Sequence, residues 1–167
     1  MDEKRPKVAV IMGSDSDLPI VRKTINVLKR FNVDFEVNIM SAHRTPEIVV
    51  EYVKNADKNG IDLFIGAAGK AAHLPGVLAA YTVKPVIGLP IKSSTLDGMD
   101  SLLSIVQMPS GIPVATVAID GGENAGLLAV QILALKYPEL VEKLYAHKEK
   151  MKQDVIEKNN KIKQEVF

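Results

Sequence analysis

Cysteine and tryptophan are both absent from this chain of 167 residues. Without a thiol there is no disulfide, no thiolate metal ligand and no cysteine nucleophile, which is compatible with a reducing cytosol and leads us to expect a cytoplasmic protein. Aromatic residues are scarce at 5%, so Val, Ile, Leu and Ala carry the 47% hydrophobic content, as suits buried parallel strands and closely packed helices. Neither sign of charge is in excess. Lys and Arg number 21 against 20 Asp and Glu, a formal net of +1, so no global field draws the chain to nucleic acid or to an anionic membrane. An anionic ligand must be held by local groups. No apolar run approaches a membrane span, and Met1 to Pro6 runs into an apolar strand without the longer apolar region and cleavage site of a signal peptide. The length fits a single domain over 1–167, with a core over about 7–136 and a C-terminal oligomerisation helix over about 138–165.

Val8 to Met12 is a short apolar run that ends in Gly13-Ser14-Asp15-Ser16-Asp17. Leu18, Val21, Ile25 and Leu28 then recur at helical spacing, with Ser16 or Asp17 as the expected cap and Pro19 in the first turn. A second strand is predicted over 35–40. Ser41-Ala42-His43-Arg44-Thr45-Pro46 follows it, with Thr45 expected to cap a helix that starts at Pro46 and stops near Gly60. A third strand is predicted over 61–65, then a small-residue loop over 66–76 and a helix over 77–81. Two further strands are predicted over 85–89 and 113–119, with a short helix between them. An Ala- and Leu-rich helix opens at Gly121-Gly122-Glu123-Asn124, and a long charged helix begins at Pro138. This alternation implies a parallel sheet of about five strands with helices on both faces. Ligands of such folds sit beyond the carboxyl ends of the strands, so the loops over 13–17, 41–46 and 66–76 are expected to converge on one pocket.

Each loop has a chemical reading and a plainer one. In the first, a turn glycine, two hydroxyls and helix N-terminal N–H groups can cradle a phosphate, with Ser14 and Ser16 on the phosphate and Asp17 on ribose hydroxyls. Ser16 and Asp17 can equally be caps and no more. In the second, the planar guanidinium of Arg44 can anchor a phosphate, and beside it His43 has the one side chain whose unperturbed pKa, roughly 6.5, suits proton transfer near neutrality. The third is rich in Gly and Ala, so backbone can approach a ligand closely. There His73 is a site residue or a histidine bonded to backbone, and Lys70 is a cation at the site or a solvated side chain.

Neither G-x-G-x-x-G nor G-x-x-x-x-G-K-[ST] follows the first strand, which excludes the common dinucleotide and P-loop sites. Gly66 and Ala67 stand where a receiver domain has its phosphoacceptor aspartate, and the loops hold no aromatic to stack a flavin. His43, His73 and His147 lack a close metal-ligand spacing, so no metal is expected.

Gly13 to Asp17, Ser41 to Pro46, Ala71-Ala72-His73-Leu74-Pro75-Gly76 and Ser104-Ile105-Val106-Gln107-Met108-Pro109 occur in that order. Together, over about 7–136, they resemble the N5-carboxyaminoimidazole ribonucleotide mutases of purine biosynthesis. The resemblance implies a flavodoxin-like three-layer α/β/α sandwich and a homo-octamer with no metal or organic cofactor. It also implies conversion of N5-carboxyaminoimidazole ribonucleotide into 4-carboxy-5-aminoimidazole ribonucleotide. On this sequence it makes Ser14, Asp17 and Arg44 the principal substrate contacts, with Ser16 and Ser41 adding to them. It makes His43 the proton carrier, gives His73 a supporting role near the substrate carboxylate and the glycine-rich loop, and adds Gly69, Lys70 and Ala71 of that loop to the substrate contacts. Two positions depart from the family's G-A-G-G-A-A-H-L-P-G loop, where Ala67 and Lys70 replace glycines. A carboxylase that joins CO2 directly to aminoimidazole ribonucleotide, and a non-catalytic nucleotide-phosphate binding module, are the other readings. The C-terminal helix, with Leu140, Leu144, His147, Met151 and Val155 on one stripe, is expected to pack on a neighbouring subunit.

Overall fold

The computed structural model describes residues 5–166. Five strands, β1 (Lys7–Met12), β2 (Asp34–Ile39), β3 (Leu63–Gly69), β4 (Val86–Ile91) and β5 (Ala115–Thr116), form one sheet in the order β2-β1-β3-β4-β5. Every neighbouring pair is parallel. Crossover helices cover both faces, the three-layer arrangement expected of the alternation. On one face α1 (Leu18–Phe31), α5 (Gly122–Leu133) and the start of α6 (Glu139–Val166) bury Val21, Leu28, Ala129, Val130 and Leu140 against the sheet. On the other, α2 (Pro46–Lys54), α3 (Leu74–Ala80) and α4 (Met99–Val106) bury Val49, Val53, Leu78 and Ile105.

Small residues let the layers approach. The backbone carbonyl of Gly122 on α5 accepts a 2.6 Å hydrogen bond from the Thr24 hydroxyl of α1, and a Cβ on Gly122 would overlap the Ile20 carbonyl oxygen. At Gly126, one turn on, a Cβ would lie 2.7 Å from Val27 Cβ. The same device works on β3. A Cβ on Gly66 would come within 3.0 Å of Leu78 Cδ1 and 3.1 Å of Pro75 Cγ, so α3 rests almost on the backbone of the central strand.

This corrects the expected limits of several elements. The third strand runs on to Gly69, through residues predicted as loop, because Gly66 to Gly69 are paired with β4 and Gly66 and Ala67 also with β1. Composition suggested a loop, but small residues here serve close packing. Accordingly α3 starts at Leu74 rather than 77, and β4 extends to Ile91 rather than 89. By contrast β5 shrinks to two residues, Ala115 and Thr116, the only two that pair with β4 among the described residues. Helix α2 ends at Lys54, and the chain turns through 55–59 before Gly60, which takes a φ of 70°. At the end of α1, Asn32 adopts the left-handed conformation (φ 59°), and its N–H closes the last turn on Leu28 and Lys29.

At the opposite end of the sheet from the strand carboxyl termini, Asp62 accepts bonds from Lys136 Nζ (2.8 Å), Tyr137 Oη (3.0 Å) and the Lys7 N–H (3.1 Å). Burial pushes its carboxyl up, but these donors outweigh that and hold it below the ordinary value. They fix the turn from α5 into α6. Leu140 is buried and His147 meets Phe31 edge to face at 5.8 Å, whereas Met151, Val155, Ile156 and Ile162 further along α6 are exposed. Among the described residues no helix is long and apolar enough to cross a membrane.

Replacing Gly122 by Ala must push α1 and α5 apart, because the added methyl meets backbone rather than a movable side chain. We expect a loss of about 1–3 kcal/mol, read as a lower urea midpoint at unchanged slope.

Candidate active site

The carboxyl ends of β1 to β4 open into a cavity of about 640 Å3. Ser14, Ser16, Asp17, Ser41, His43, Arg44, Gly69, Lys70, Ala71 and His73, the residues singled out in the sequence, all line it. Gly66, Ala67 and Ala72 do not. The first two are held inside the sheet and Ala72 is buried, so the small-residue wall consists of Ala68, Gly69 and Ala71. A fourth segment, Ile91 to Ser94, also lines the cavity and was missed. Its signal was the polar run Lys92-Ser93-Ser94 directly after an apolar strand, concealed by ending that strand two residues early.

In the first loop Asp17 stands at the N-cap of α1 but makes no side-chain capping bond, and Ser14 caps the 3-10 turn before it. Its hydroxyl accepts from the Ser16 N–H (3.3 Å) while Asp17 Oδ2 accepts from the Ser14 N–H (3.2 Å), a reciprocal box around the 3-10 turn Asp15–Asp17. Asp17 folds back for this bond and is buried. That burial raises its carboxyl above the ordinary value of 3.8, against the hydrogen bonds from Ser14 and Ser16. The Ser16 hydroxyl lies 2.9 Å from Ser14 Oγ, so two hydroxyls stand together at the rim.

The second loop is a turn stapled by its own hydroxyls. Thr45 stands at the N-cap of α2 as expected, but its Oγ1 accepts from the Ser41 N–H (3.0 Å) and donates to the Ser41 carbonyl (3.2 Å), closing the turn rather than bonding to the helix. Ser41 Oγ accepts from the N–H groups of His43 (3.3 Å) and Arg44 (3.1 Å). Arg44 then reaches across to the Gly13 carbonyl (Nη2 to O, 3.1 Å) and joins the first two loops. With Nε on Ser41 Oγ at 3.4 Å, most of its donors remain for an anion.

The tight turn after β3, with N–H bonds from Ala72 to the Lys70 carbonyl and from His73 to the Ala71 carbonyl, brings His73 to the N-terminus of α3. Its ring bonds neither to backbone nor as a cap. Instead His73 Nδ1 lies 2.9 Å from His43 Nε2, with the rings edge to face at 5.0 Å. One nitrogen of this pair donates and the other accepts, so the pair shares one proton and fixes the orientation of both imidazoles. Of the two departures from the family loop, Ala67 needs no special backbone because it lies within β3. Lys70 takes the left-handed φ of 57° itself.

At the far side the Ser93 hydroxyl is held by both oxygens of Asp100 (2.7 and 2.8 Å), and Lys92 pairs with Asp97 at 3.2 Å. Among the described residues no group of three or more His, Asp or Glu is gathered to hold a metal ion. One end of the cavity is therefore a cradle of hydroxyls, N–H groups and a guanidinium. The other is a histidine pair against a wall of small residues, an arrangement that can anchor a phosphate and move a proton.

A parallel sheet with this cavity beyond its strand ends defines an α/β domain of the doubly wound kind. The chain belongs to the AIR carboxylase family, whose profile matches residues 7–154. It is 55% identical over 159 residues to the N5-carboxyaminoimidazole ribonucleotide mutase of Thermotoga maritima, covering 95% of this chain and 93% of that one. Over 147 residues it is 62% identical to the Pyrococcus abyssi mutase, covering 88% and 84% of the two chains. The crystal structure of Treponema denticola PurE superposes with a TM-score of 0.85 at 33% identity, over 95% of this chain and 99% of that one.

Because the Asp17 carboxyl titrates above its unfolded value, the folded state binds the extra proton, and this group's stabilisation is present at low pH and lost as pH rises through the raised value. An Asp17→Asn variant keeps an acceptor for the Ser14 N–H and removes that loss. We expect it to be more stable than the parent at pH 7, with the difference closing as pH falls toward 3.8, in urea titrations across that range. A difference that stays constant with pH contradicts the assignment.

Proposed function

We propose that this chain is an N5-carboxyaminoimidazole ribonucleotide mutase, converting that substrate to 4-carboxy-5-aminoimidazole ribonucleotide in purine biosynthesis. The observation that carries the reading is the His43 and His73 pair, 2.9 Å apart, in the same cavity as the Arg44, Ser14 and Ser16 cradle. The mutases of Thermotoga maritima and Pyrococcus abyssi support it at 55% and 62% identity.

The phosphate sits at Ser14, Ser16, Ser41 and Arg44, and the Asp17 carboxylate accepts from ribose hydroxyls. This leaves the imidazole ring against His43. The bond from the exocyclic nitrogen to the carbamate carbon breaks and releases CO2. His43 supplies the nitrogen with its proton, and the electron-rich C4 attacks the same CO2. His43 then takes the C4 proton, so its protonation state is restored and the reaction is a balanced isomerisation. His73 steadies the ring of His43 and shares its proton. The wall of Ala68, Gly69 and Ala71 keeps CO2 beside C4, where proximity replaces strong bonding.

The exposed apolar side chains of α6, Tyr145, Met151, Val155, Ile156 and Ile162, support burial between subunits, and we assign the chain to a homo-octamer. The lack of cysteine supports a cytoplasmic location. Direct carboxylation is the second reading. A Candida glabrata phosphoribosylaminoimidazole carboxylase is 52% identical over 159 residues, but these cover only 28% of that protein, whose name describes a longer chain.

Product formation from freshly made N5-carboxy substrate, compared with aminoimidazole ribonucleotide plus bicarbonate, decides between the two. We expect turnover of the N5-carboxy substrate at low bicarbonate. Product only from the second pair, at rising bicarbonate, makes the chain a carboxylase. The His43→Asn variant is expected to fold and to bind the ribonucleotide with kcat reduced by about 10²- to 10⁴-fold. Binding without turnover in every form of the protein would mark a non-catalytic module.

A further inference from the structure

Three cations line the cavity, and two are already engaged. Arg44 bonds to the Gly13 carbonyl and Ser41, and Lys92 is paired with Asp97. Lys70 is exposed, and among the described residues its ammonium has no hydrogen bond or ion pair. Its backbone is also unusual. A φ of 57° is a conformation that Gly adopts freely and a long side chain adopts at a cost, so a lysine kept there is held in place by the surrounding turn.

Position along the sheet edge shows which part of a ligand this cation meets. The cradle belongs to the loops after β1 and β2, whereas Lys70 is the first residue after β3, on the side that pairs with β4. Strands lie about 4.8 Å apart, so the backbones of β2 and β3, with β1 between them, are separated by about 10 Å, a gap that the side chains of His43 and His73 close. A phosphate at Arg44 and the cation at Lys70 thus belong to different loops, and a ligand that spans the cavity from Arg44 meets Lys70 with its other end. The same short turn that carries Lys70 carries His73, and His73 touches His43. Lys70 therefore borders the reacting end of the cavity, whose lining also includes the small residues Ala68, Gly69 and Ala71 and the segment Lys92 to Ser94 after β4.

We propose that Lys70 is the counter-ion of the carboxyl group handled by this site, and that it sets the site's preference for carboxylated over uncarboxylated ribonucleotide. The inference rests on the mutase reading and adds a residue for which the glycine of the family loop has no chemical equivalent. A flexible ammonium suits this task because the carboxyl group changes its point of attachment from nitrogen to C4 during the reaction, and a single point charge on a four-carbon stem can follow it.

The test is equilibrium binding of two stable ligands, 4-carboxy-5-aminoimidazole ribonucleotide and aminoimidazole ribonucleotide, to the parent, Lys70→Gly and Lys70→Arg. Glycine suits a φ of 57°, so Lys70→Gly is expected to keep or raise the melting temperature, which separates lost binding from lost folding. We expect Lys70→Gly to bind the carboxylated ligand about five- to tenfold more weakly, with the uncarboxylated ligand changed less than about twofold. Lys70→Arg should recover most of the difference. Added salt should erode the preference in the parent and leave Lys70→Gly unaffected. Equal weakening of both ligands, or no change in either, overturns the role of Lys70. A parent protein that binds neither ligand overturns the mutase reading itself.

Discussion

The absence of a side chain at Gly66 is the constraint on which the site depends. Because Pro75 and Leu78 fill the space where a Cβ would be, α3 lies directly on the centre of the sheet and begins within a few residues of the end of β3. That placement turns the chain sharply after Gly69 and delivers His73 to His43, a residue held on a different loop by Ser41 and Thr45. A larger residue at 66 would lift α3, and the 2.9 Å contact between the histidines would be lost with it. Packing and chemistry are consequently coupled: the close-packed centre of the fold sets the distance between the two imidazoles.

Charge in the cavity is arranged without any help from the protein as a whole, whose net charge is +1. Local groups supply it instead. The Asp17 carboxyl is buried and bound to backbone, so its protonation is linked to folding. Arg44 is anchored by neutral carbonyl and hydroxyl oxygens, which leaves its positive charge uncompensated and available to an anion. The histidine pair lies between this cradle and the small-residue wall, and a ligand spanning the cavity meets a fixed charge, a shared proton and an apolar surface in turn.

Much of the fold was legible because its periods are strong. The apolar runs Val8 to Met12 and Val86 to Leu89, the helical spacing after Leu18 and the alternation of the two types sufficed for a parallel sheet with helices on both faces. The boundaries that failed share a cause. Gly66 to Gly69 read as loop since small residues are typical of loops, and only pairing with β4, joined at Gly66 and Ala67 by pairing with β1, makes them strand. Capping shows the same limit: Thr45 and Asp17 stand at the N-caps of α2 and α1, Ser16 does not, and none of the three bonds its side chain to a helix N–H. Each is a suitable cap by residue type, but the hydroxyl of Ser16 turns to Ser14 and that of Thr45 back to Ser41.

By itself the sequence determined which chemical groups stand at the ends of the strands, because residue type and strand spacing are local properties: a hydroxyl and carboxyl loop, a His-Arg loop and a loop of small residues. Only the tertiary structure decided how they meet. That His73 bonds to His43 rather than to backbone, that Arg44 joins the first two loops and that Lys92 to Ser94 complete the cavity all depend on contacts between segments far apart in the chain. Such contacts follow from strand order and from how closely a helix can rest on a sheet, and those are set by the packing of the whole domain.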